Sequence, residues 1–321
     1  MGAAGRDVKG GKGRALGAEG FEGGFRKIQP LRSLRDGHAR LPRGGWPFVG
    51  TNRLRQFGAR IHVDATAVAK RLASAPPLPL LLRHGVNAAT LLLQDDPARH
   101  ATLEAGMAWL AADSGPGEGI DQIPHDIMRA LVLHLHLATF LERYESLPPR
   151  LWGACESHLP NAVLPCRRVE RFSDTTPDHE SVDQALWDAL CLHDQARALG
   201  RDVDIEMVDG VVHHAVMALK QDPVGLGNPP TPMTQWRYLH PLANLALDRR
   251  NRTWARAVRD VALALGPNAA PPHPWALFAL AWSTPTAELT FRTQPNATPA
   301  DDAVTLMLLA DAATAVRCFE P

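Results

Sequence analysis

The segment from Pro124 to Tyr144, PHDIMRALVLHLHLATFLERY, is the one long stretch that is apolar around its whole circumference when it is written as a helix. Pro124 suits the first helical position, and Asp126 suits the positive end of the helix dipole. The apolar part is much shorter than the roughly 20 residues that cross a bilayer, so it predicts a buried core helix. We therefore expect the rest of the chain to pack around this segment.

A strand is the alternative interpretation of the middle of this segment. The leucines at 133, 135 and 137 would then face one side, and His134 and His136 the other, as in metal sites that place His-x-His on a strand. The length of the segment and its charged C-terminal end favour the helix. In a helix these two histidines point about 200° apart and cannot share a metal.

The formal net charge of zero hides an uneven distribution along the 321 residues. Residues 1–60 contain 13 Lys and Arg against 4 Asp and Glu, a net of +9, so the remainder carries −9. Glycine is dense at the start of the chain, and it loses much conformational entropy on folding. We expect a disordered basic arm over 1–60 and a single all-α domain over 61–321. Nucleic acid is predicted to contact only the arm, through its phosphates.

Cysteine usage and the absence of a leader predict a soluble protein of the cytoplasm. Cys155, Cys166, Cys191 and Cys318 show no CxxC spacing, so neither a disulfide scaffold nor a zinc knuckle is expected. No signal peptide or membrane anchor is recognisable, and no membrane partner is predicted.

Apolar spacing of three and four residues, interrupted by Pro and Gly, continues through the rest of the chain. No β-rich run is present, so the sequence predicts an all-α fold of antiparallel helix pairs, arranged as an α/α-toroid or an α-solenoid. The predicted helices are Asp64–Leu72, Pro79–Leu93, one opening at Asp96, Glu180–Leu199, one or two within Asp202–Lys220, Trp236–Leu247, Trp254–Leu265, Trp275–Trp282, and a last one capped by Thr298 and Asp301 that runs through Cys318.

The stretch Leu190–Gly200, LCLHDQARALG, is similar to the HD-domain metal phosphohydrolases, in which a helical His-Asp pair is followed by Lys or Arg. The resemblance implies that His193 and Asp194 bind a divalent metal, with Arg197 beside them, although Gln195 and Ala196 replace the small apolar pair of that family. The alternative is that His193 is a packed core histidine. The further candidate ligands are His158, His179, His213 and His214.

A second candidate group occupies one face of the next helix. Glu206, Asp209 and His213 are spaced i, i+3 and i+7, which allows an acid and base pair or a cation site. The alternative is a solvent-exposed face with a local Asp and His contact.

The third group, WRYLHPLAN, offers Tyr238 and His240, with His273 and Trp275 in the following loop. These residue types resemble those of the α/α-toroid polysaccharide lyases, which implies candidate catalytic roles for Tyr238, His240 and His273, with Arg237 and Asn244 on the carboxylate of a sugar. The alternative is a helical pair whose aromatic residues belong to the core.

A broader resemblance covers about the last 140 residues, through 186–217, WRYLHPLANLAL, HPWALFAL and LLADA. Together these resemble a family of helical proteins from GC-rich bacteria, and they imply paired helices without implying an activity. The leading hypothesis is a non-catalytic binding or scaffold protein that holds a protein or small molecule on a concave helical face. The two enzymatic alternatives are an HD-type phosphohydrolase and a toroid carbohydrate enzyme.

Overall fold

The computed structural model describes residues 51–93, 127–135, 185–194, 202–222, 232–266, 274–283 and 296–317. Within these ranges the chain forms nine helices and no strand, which confirms the predicted all-α class. In chain order the helices are α1 (Thr51–Ala73), α2 (Leu80–Leu93), α3 (127–135), α4 (185–194), α5 (Asp202–Gln221), α6 (Pro232–Asp248), α7 (Arg252–Ala264), α8 (Pro274–Ser283) and α9 (Pro299–Arg317).

Helices α8 and α9 lie at the centre of the described structure. Residues 275–280 of α8 and 302–313 of α9 are all buried. α9 packs against α1, α2 and α8, while α8 also contacts α6 and α7. Apolar side chains from all nine helices join in one hydrophobic core. The C-terminal helix therefore contacts the first two helices of the chain and shares this core with the rest.

The described part of the segment Pro124–Tyr144 is α3, and it is helical as predicted. Ile127, Leu131 and Leu135 are at most 1% exposed, and His134 is buried with them. The strand alternative is therefore wrong for these residues. The remainder of the segment, including His136, lies outside the described residues.

The start of α9 forms through the capping signal that the sequence predicts, and α7 is capped at both of its ends. The Thr298 backbone N–H donates to the Asp301 carboxylate at 2.9 Å, and the Asp301 N–H donates to Thr298 Oγ1 at 3.2 Å, which is a reciprocal capping box. At the start of α7, the side chain of Asn251 accepts two backbone N–H groups of the first turn. Gly266 follows the helix with a φ of 75°, a conformation that glycine adopts without strain.

Helix α1 begins at Thr51, so the chain is already helical over part of the segment 1–60 that is predicted to be disordered. Asp64, the predicted cap, lies inside the helix, where its carboxylate is 3.3 Å from Arg60 Nε in an i, i+4 pair. Gln56 and Arg60 are exposed, whereas Ile61 is buried. In the sequence, Leu54, Phe57 and Ile61 follow i, i+3 and i+7 spacing, so the apolar pattern of this helix extends to the N-terminal side of the predicted start. Residues 1–50 lie outside the described part of the chain.

The pair α6 and α7 forms as predicted, joined by a short turn and packed against each other. Residues 202–221 form one continuous helix, α5. The predicted helix that opens at Asp96 lies outside the described residues. The toroid or solenoid arrangement of the helix pairs stays a prediction.

Candidate metal centre

The last two described residues of α4, His193 and Asp194, lie next to the end of α6. His193 is 1% exposed and Asp194 is 2% exposed. His193 Nδ1 lies 3.3 Å from Asp194 Oδ1 and 3.9 Å from Asp248 Oδ2. One ligand atom from each of these three residues lies within 4.8 Å of the others.

These separations suit a shared cation. Ligand atoms that bind one metal at about 2.1 Å in tetrahedral geometry are roughly 3.4 Å apart. Small side-chain movements would therefore bring the three ligand atoms to metal-binding separations. One imidazole nitrogen and two carboxylate oxygens are ligands that zinc, manganese and iron accept. The cluster made by His193, Asp194 and Asp248 is therefore a candidate metal centre.

The second carboxylate oxygen of Asp194 is held by a histidine from α3. His134 Nδ1 lies 2.5 Å from Asp194 Oδ2, and the other ring nitrogen, Nε2, lies 2.8 Å from Asp311 Oδ1 on α9. The three side chains are 5%, 3% and 1% exposed. A single imidazole therefore connects α4 to α9 through two carboxylates.

Asp311 is also bound to α6. His240 Nε2 donates to Asp311 Oδ2 in a short hydrogen bond, and Asn244 Nδ2 donates to the same oxygen at 3.1 Å. Asn244 Nδ2 additionally donates to the backbone carbonyl of His240 at 3.1 Å. Carboxylates and imidazoles thus alternate in the order Asp248, His193, Asp194, His134, Asp311 and His240, which we call the His–Asp network.

Aromatic side chains enclose the far end of the network. The ring of His240 stacks on Trp187, with centroids 5.5 Å apart, and meets Trp275 at 5.7 Å and Phe278 at 5.3 Å in tilted or perpendicular arrangements. His240 is fully buried, and its Nδ1 has no hydrogen-bond partner among the described residues. The ring is therefore fixed by packing on its faces and by Asp311 at Nε2.

The protonation states of His134, Asp194 and Asp311 are determined by the attraction between the imidazole and the two carboxylates. Burial alone lowers the pKa of His134, but the carboxylates of Asp311 and Asp194 outweigh burial and hold that pKa well above 6.5. Burial alone raises the pKa of Asp194, yet His134 and then His193 lower it to about 2. His134 and His240 likewise hold the pKa of Asp311 below its ordinary value, against burial. His134 is then a cation between two anions, and one negative charge remains on these three residues.

Of the residues that the HD resemblance implies, the structure brings together His193 and Asp194. His213 and His214 are exposed on α5, with ring centroids 6.2 Å apart, whereas the cluster is buried. Arg197, His158 and His179 lie outside the described residues.

The other two candidate groups are placed differently. Asp209 forms an ion pair with Arg249 at 2.9 Å, His213 is exposed, and the side chain of Glu206 lies outside the described residues. Tyr238 is 1% exposed and buried in the core, and it precedes His240 by two positions on α6. His273, the third candidate for carbohydrate chemistry, lies outside the described residues, so that hypothesis stays a prediction.

Sequence reasoning missed Asp248 and Asp311, and for His134 it concluded only that this histidine cannot share a metal with His136. A usable signal was present in the sequence. Asp311 is the one polar residue in the apolar run MLLADAA, and His134 and His136 are the two polar residues in LVLHLHL. A buried polar residue in an apolar run is the informative observation, since it must find a partner. His240, Asn244 and Asp248 also follow i, i+4 and i+8 spacing along one face of α6.

Comparison of the chain with protein-family models, with curated proteins and with solved structures gives no match. Among the helices that the structure describes, none combines the length and the apolar composition needed to cross a bilayer. The candidate function therefore depends on the site and on the sequence motif that contains His193 and Asp194.

Proposed function

We propose that the protein is a metal-dependent phosphohydrolase whose divalent ion binds His193, Asp194 and Asp248. The observation that carries the proposal is the approach of these three ligand atoms to within 4.8 Å of one another, from two different helices. The resemblance of LCLHDQARALG to HD-domain phosphohydrolases supports His193 and Asp194 among these residues, and it supplies the reaction class.

The charge of the cluster favours a cation. Asp194 and Asp311 are ionised and share one protonated histidine, while Asp248 adds a further carboxylate beside His193. Two carboxylate oxygens and one imidazole nitrogen at this spacing form a donor set that suits a divalent ion. The imidazole of His193 would bind as the neutral form, so loading releases a proton from any protonated ring.

The reaction that suits this site is hydrolysis of a phosphate ester. A divalent ion held by His193, Asp194 and Asp248 would act as a Lewis acid toward a phosphoryl oxygen and toward the attacking water. The water oxygen forms the new bond to phosphorus, the ester P–O bond breaks, and the leaving alkoxide takes up the proton that the water gives up. Asp248 is 18% exposed while His193 is 1% exposed, so a substrate approaches from the Asp248 side.

Elemental analysis of protein purified without a histidine tag tests the proposal. We expect near-stoichiometric zinc, manganese or iron in the wild type, and loss of the metal in His193→Ala because a ligand is removed. His213→Ala is the matched control, since this histidine is exposed on α5 away from the cluster. The metal-loaded wild type should also hydrolyse p-nitrophenyl phosphate or its diester.

A wild type that stays free of metal after growth and purification in metal-supplemented medium would contradict the proposal. So would equal metal content in His193→Ala and the wild type. Loss of metal in both the His193 and His213 variants would indicate adventitious surface binding.

A non-catalytic binding or scaffold protein is the second candidate. The observation that favours it is the engagement of both ring nitrogens of His134 by carboxylates, because such a network is satisfied by internal ion pairs. Its partner, a protein or a small molecule, would then occupy a concave face between helix pairs. Absence of metal together with a cooperative, stable fold would support this candidate.

A further inference from the structure

The His–Asp network extends beyond the three proposed ligands, and its remaining members contact one another in a fixed order. Asp194 uses Oδ2 for His134 and presents Oδ1 to His193, at 2.5 Å and 3.3 Å respectively. A carboxylate held on one oxygen cannot rotate freely, so the orientation of Oδ1 depends on where the His134 ring lies.

The His134 ring is itself fixed from the opposite side. Its Nε2 lies 2.8 Å from Asp311 Oδ1. The imidazole is therefore bound by the carboxylates of Asp194 and Asp311, and both fix the plane of the ring. The second oxygen of Asp311 accepts from His240 and Asn244, which belong to α6, the helix that also ends in Asp248. Asp311 is therefore bound by the same helix, α6, that supplies the third proposed ligand, Asp248.

We infer that Asp311 and His134 are positioning residues of the metal centre, acting on the ion through the orientation of Asp194. This inference rests on the proposed function. Partners that orient a ligating group govern affinity almost as strongly as the ligands do, and their loss typically costs 10- to 100-fold in metal affinity. Neither residue belongs to the ligand set, so a variant of either leaves all three ligands in the chain.

Asp302 provides a matched control for Asp311 on the same helix. Both are buried carboxylates of α9, but Asp302 is bound by Arg71 of α1, with Nε at 2.8 Å and Nη2 at 2.5 Å. Its loss should lower the stability of the fold without touching the network. Comparing the two variants separates loss of positioning from general destabilisation.

The experiment is a cobalt(II) titration of chelator-stripped wild type, Asp311→Asn and Asp302→Asn. Competition with a chromophoric chelator gives the affinity, and the visible absorption band of bound cobalt reports the ligand geometry. We expect Asp311→Asn to bind cobalt about 10- to 100-fold more weakly, with an altered band. Asp302→Asn should keep the wild-type affinity and band.

Asn244→Ala is a milder variant that decides the question if Asp311→Asn fails to fold, because it removes one of the two donors to Asp311 Oδ2. It should weaken cobalt binding in the same direction by a smaller factor. Wild-type affinity and band in the Asp311 or Asn244 variant, or an equal loss in Asp302→Asn, would overturn the positioning role alone. A wild type that binds no cobalt would overturn the metal centre, and the positioning role with it.

Discussion

His134 is the residue on which the network depends, because each of its ring nitrogens faces a carboxylate from a different helix. Transferring charged groups from water to the protein interior is unfavourable. Removing one partner of a buried ion pair typically lowers the free energy of unfolding by about 3–5 kcal/mol, because the other charge is left uncompensated. The pairing also limits what His134 can do. With both nitrogens engaged it orients other groups and does not bind the ion.

The stability of metal-free protein should depend on pH through this residue. The folded pKa of His134 is raised, so its contribution is fully present below the unfolded value of about 6.5 and is lost as pH rises toward the folded pKa. The pKa values of Asp194 and Asp311 are lowered, so their contributions are present above about pH 4 and are lost on further acidification.

Urea unfolding of chelator-treated protein between pH 3 and 9 measures this dependence. From pH 6.5 upward, His134 should lower the free energy of unfolding by at most about 1.4 kcal/mol per pH unit. His134→Gln should lack this component, while His213→Gln, an exposed control, should retain it. Identical curves for the wild type and His134→Gln above pH 6.5 would show that the pKa of His134 is not raised.

At the scale of the helices, α6 connects the two ends of the network. His240 and Asp248 lie eight residues apart on one face, a rise of about 12 Å along the axis, and Asn244 lies between them. α9 supplies Asp311 to the network. The same helix also packs on α1 and α2.

A pair of glycine substitutions tests how tightly α2 and α9 pack. A Cβ at Gly85 would overlap Met307 Sδ and lie 3.1 Å from Met307 Cε and 3.3 Å from Val132 Cγ2. Because Met307 is fully buried, we expect Gly85→Ala to lower the free energy of unfolding by about 1–2 kcal/mol, despite the helix propensity of alanine.

Gly210→Ala is the matched control within α5, since a Cβ there meets nothing within 4 Å. It should raise the free energy of unfolding by about 0.5–1 kcal/mol. Chemical denaturation of both variants gives the comparison. A stabilised Gly85→Ala would mean that Met307 moves aside and that the helices are not closely packed there.

The helices that the sequence predicted well are those with complete local signals. α9 has its capping box at Thr298 and Asp301, and α7 has Asn251 before it and Gly266 after it. The start of α1 was missed because residues 1–60 were interpreted as one basic arm, although Leu54, Phe57 and Ile61 continue the apolar spacing of the helix. The pairing of His193 with Asp194 was readable from adjacent positions, whereas Asp248 and Asp311 join them through packing of distant segments, which local periodicity does not encode.

For the whole molecule, the site forms only when distant parts of the chain have folded together. The residues of the His–Asp network come from α3, α4, α6 and α9. All of their side chains except that of Asp248 are buried, beside one hydrophobic core shared by all nine described helices. Metal binding should therefore be coupled to global stability: at 100 times the dissociation constant a bound ion stabilises the fold by about 2.7 kcal/mol. Residues 51–60, the described part of the basic segment, supply no ligand to this centre.

Anomalous diffraction from crystals of metal-loaded protein, collected at the absorption edge of the bound ion, tests the central claim most directly. The account predicts one strong peak about 2.0–2.2 Å from His193 Nδ1, Asp194 Oδ1 and Asp248 Oδ2, with His134 between Asp194 and Asp311 and outside the ligand set. A peak elsewhere in the molecule, or an electron-density map in which these three residues point apart, would contradict it.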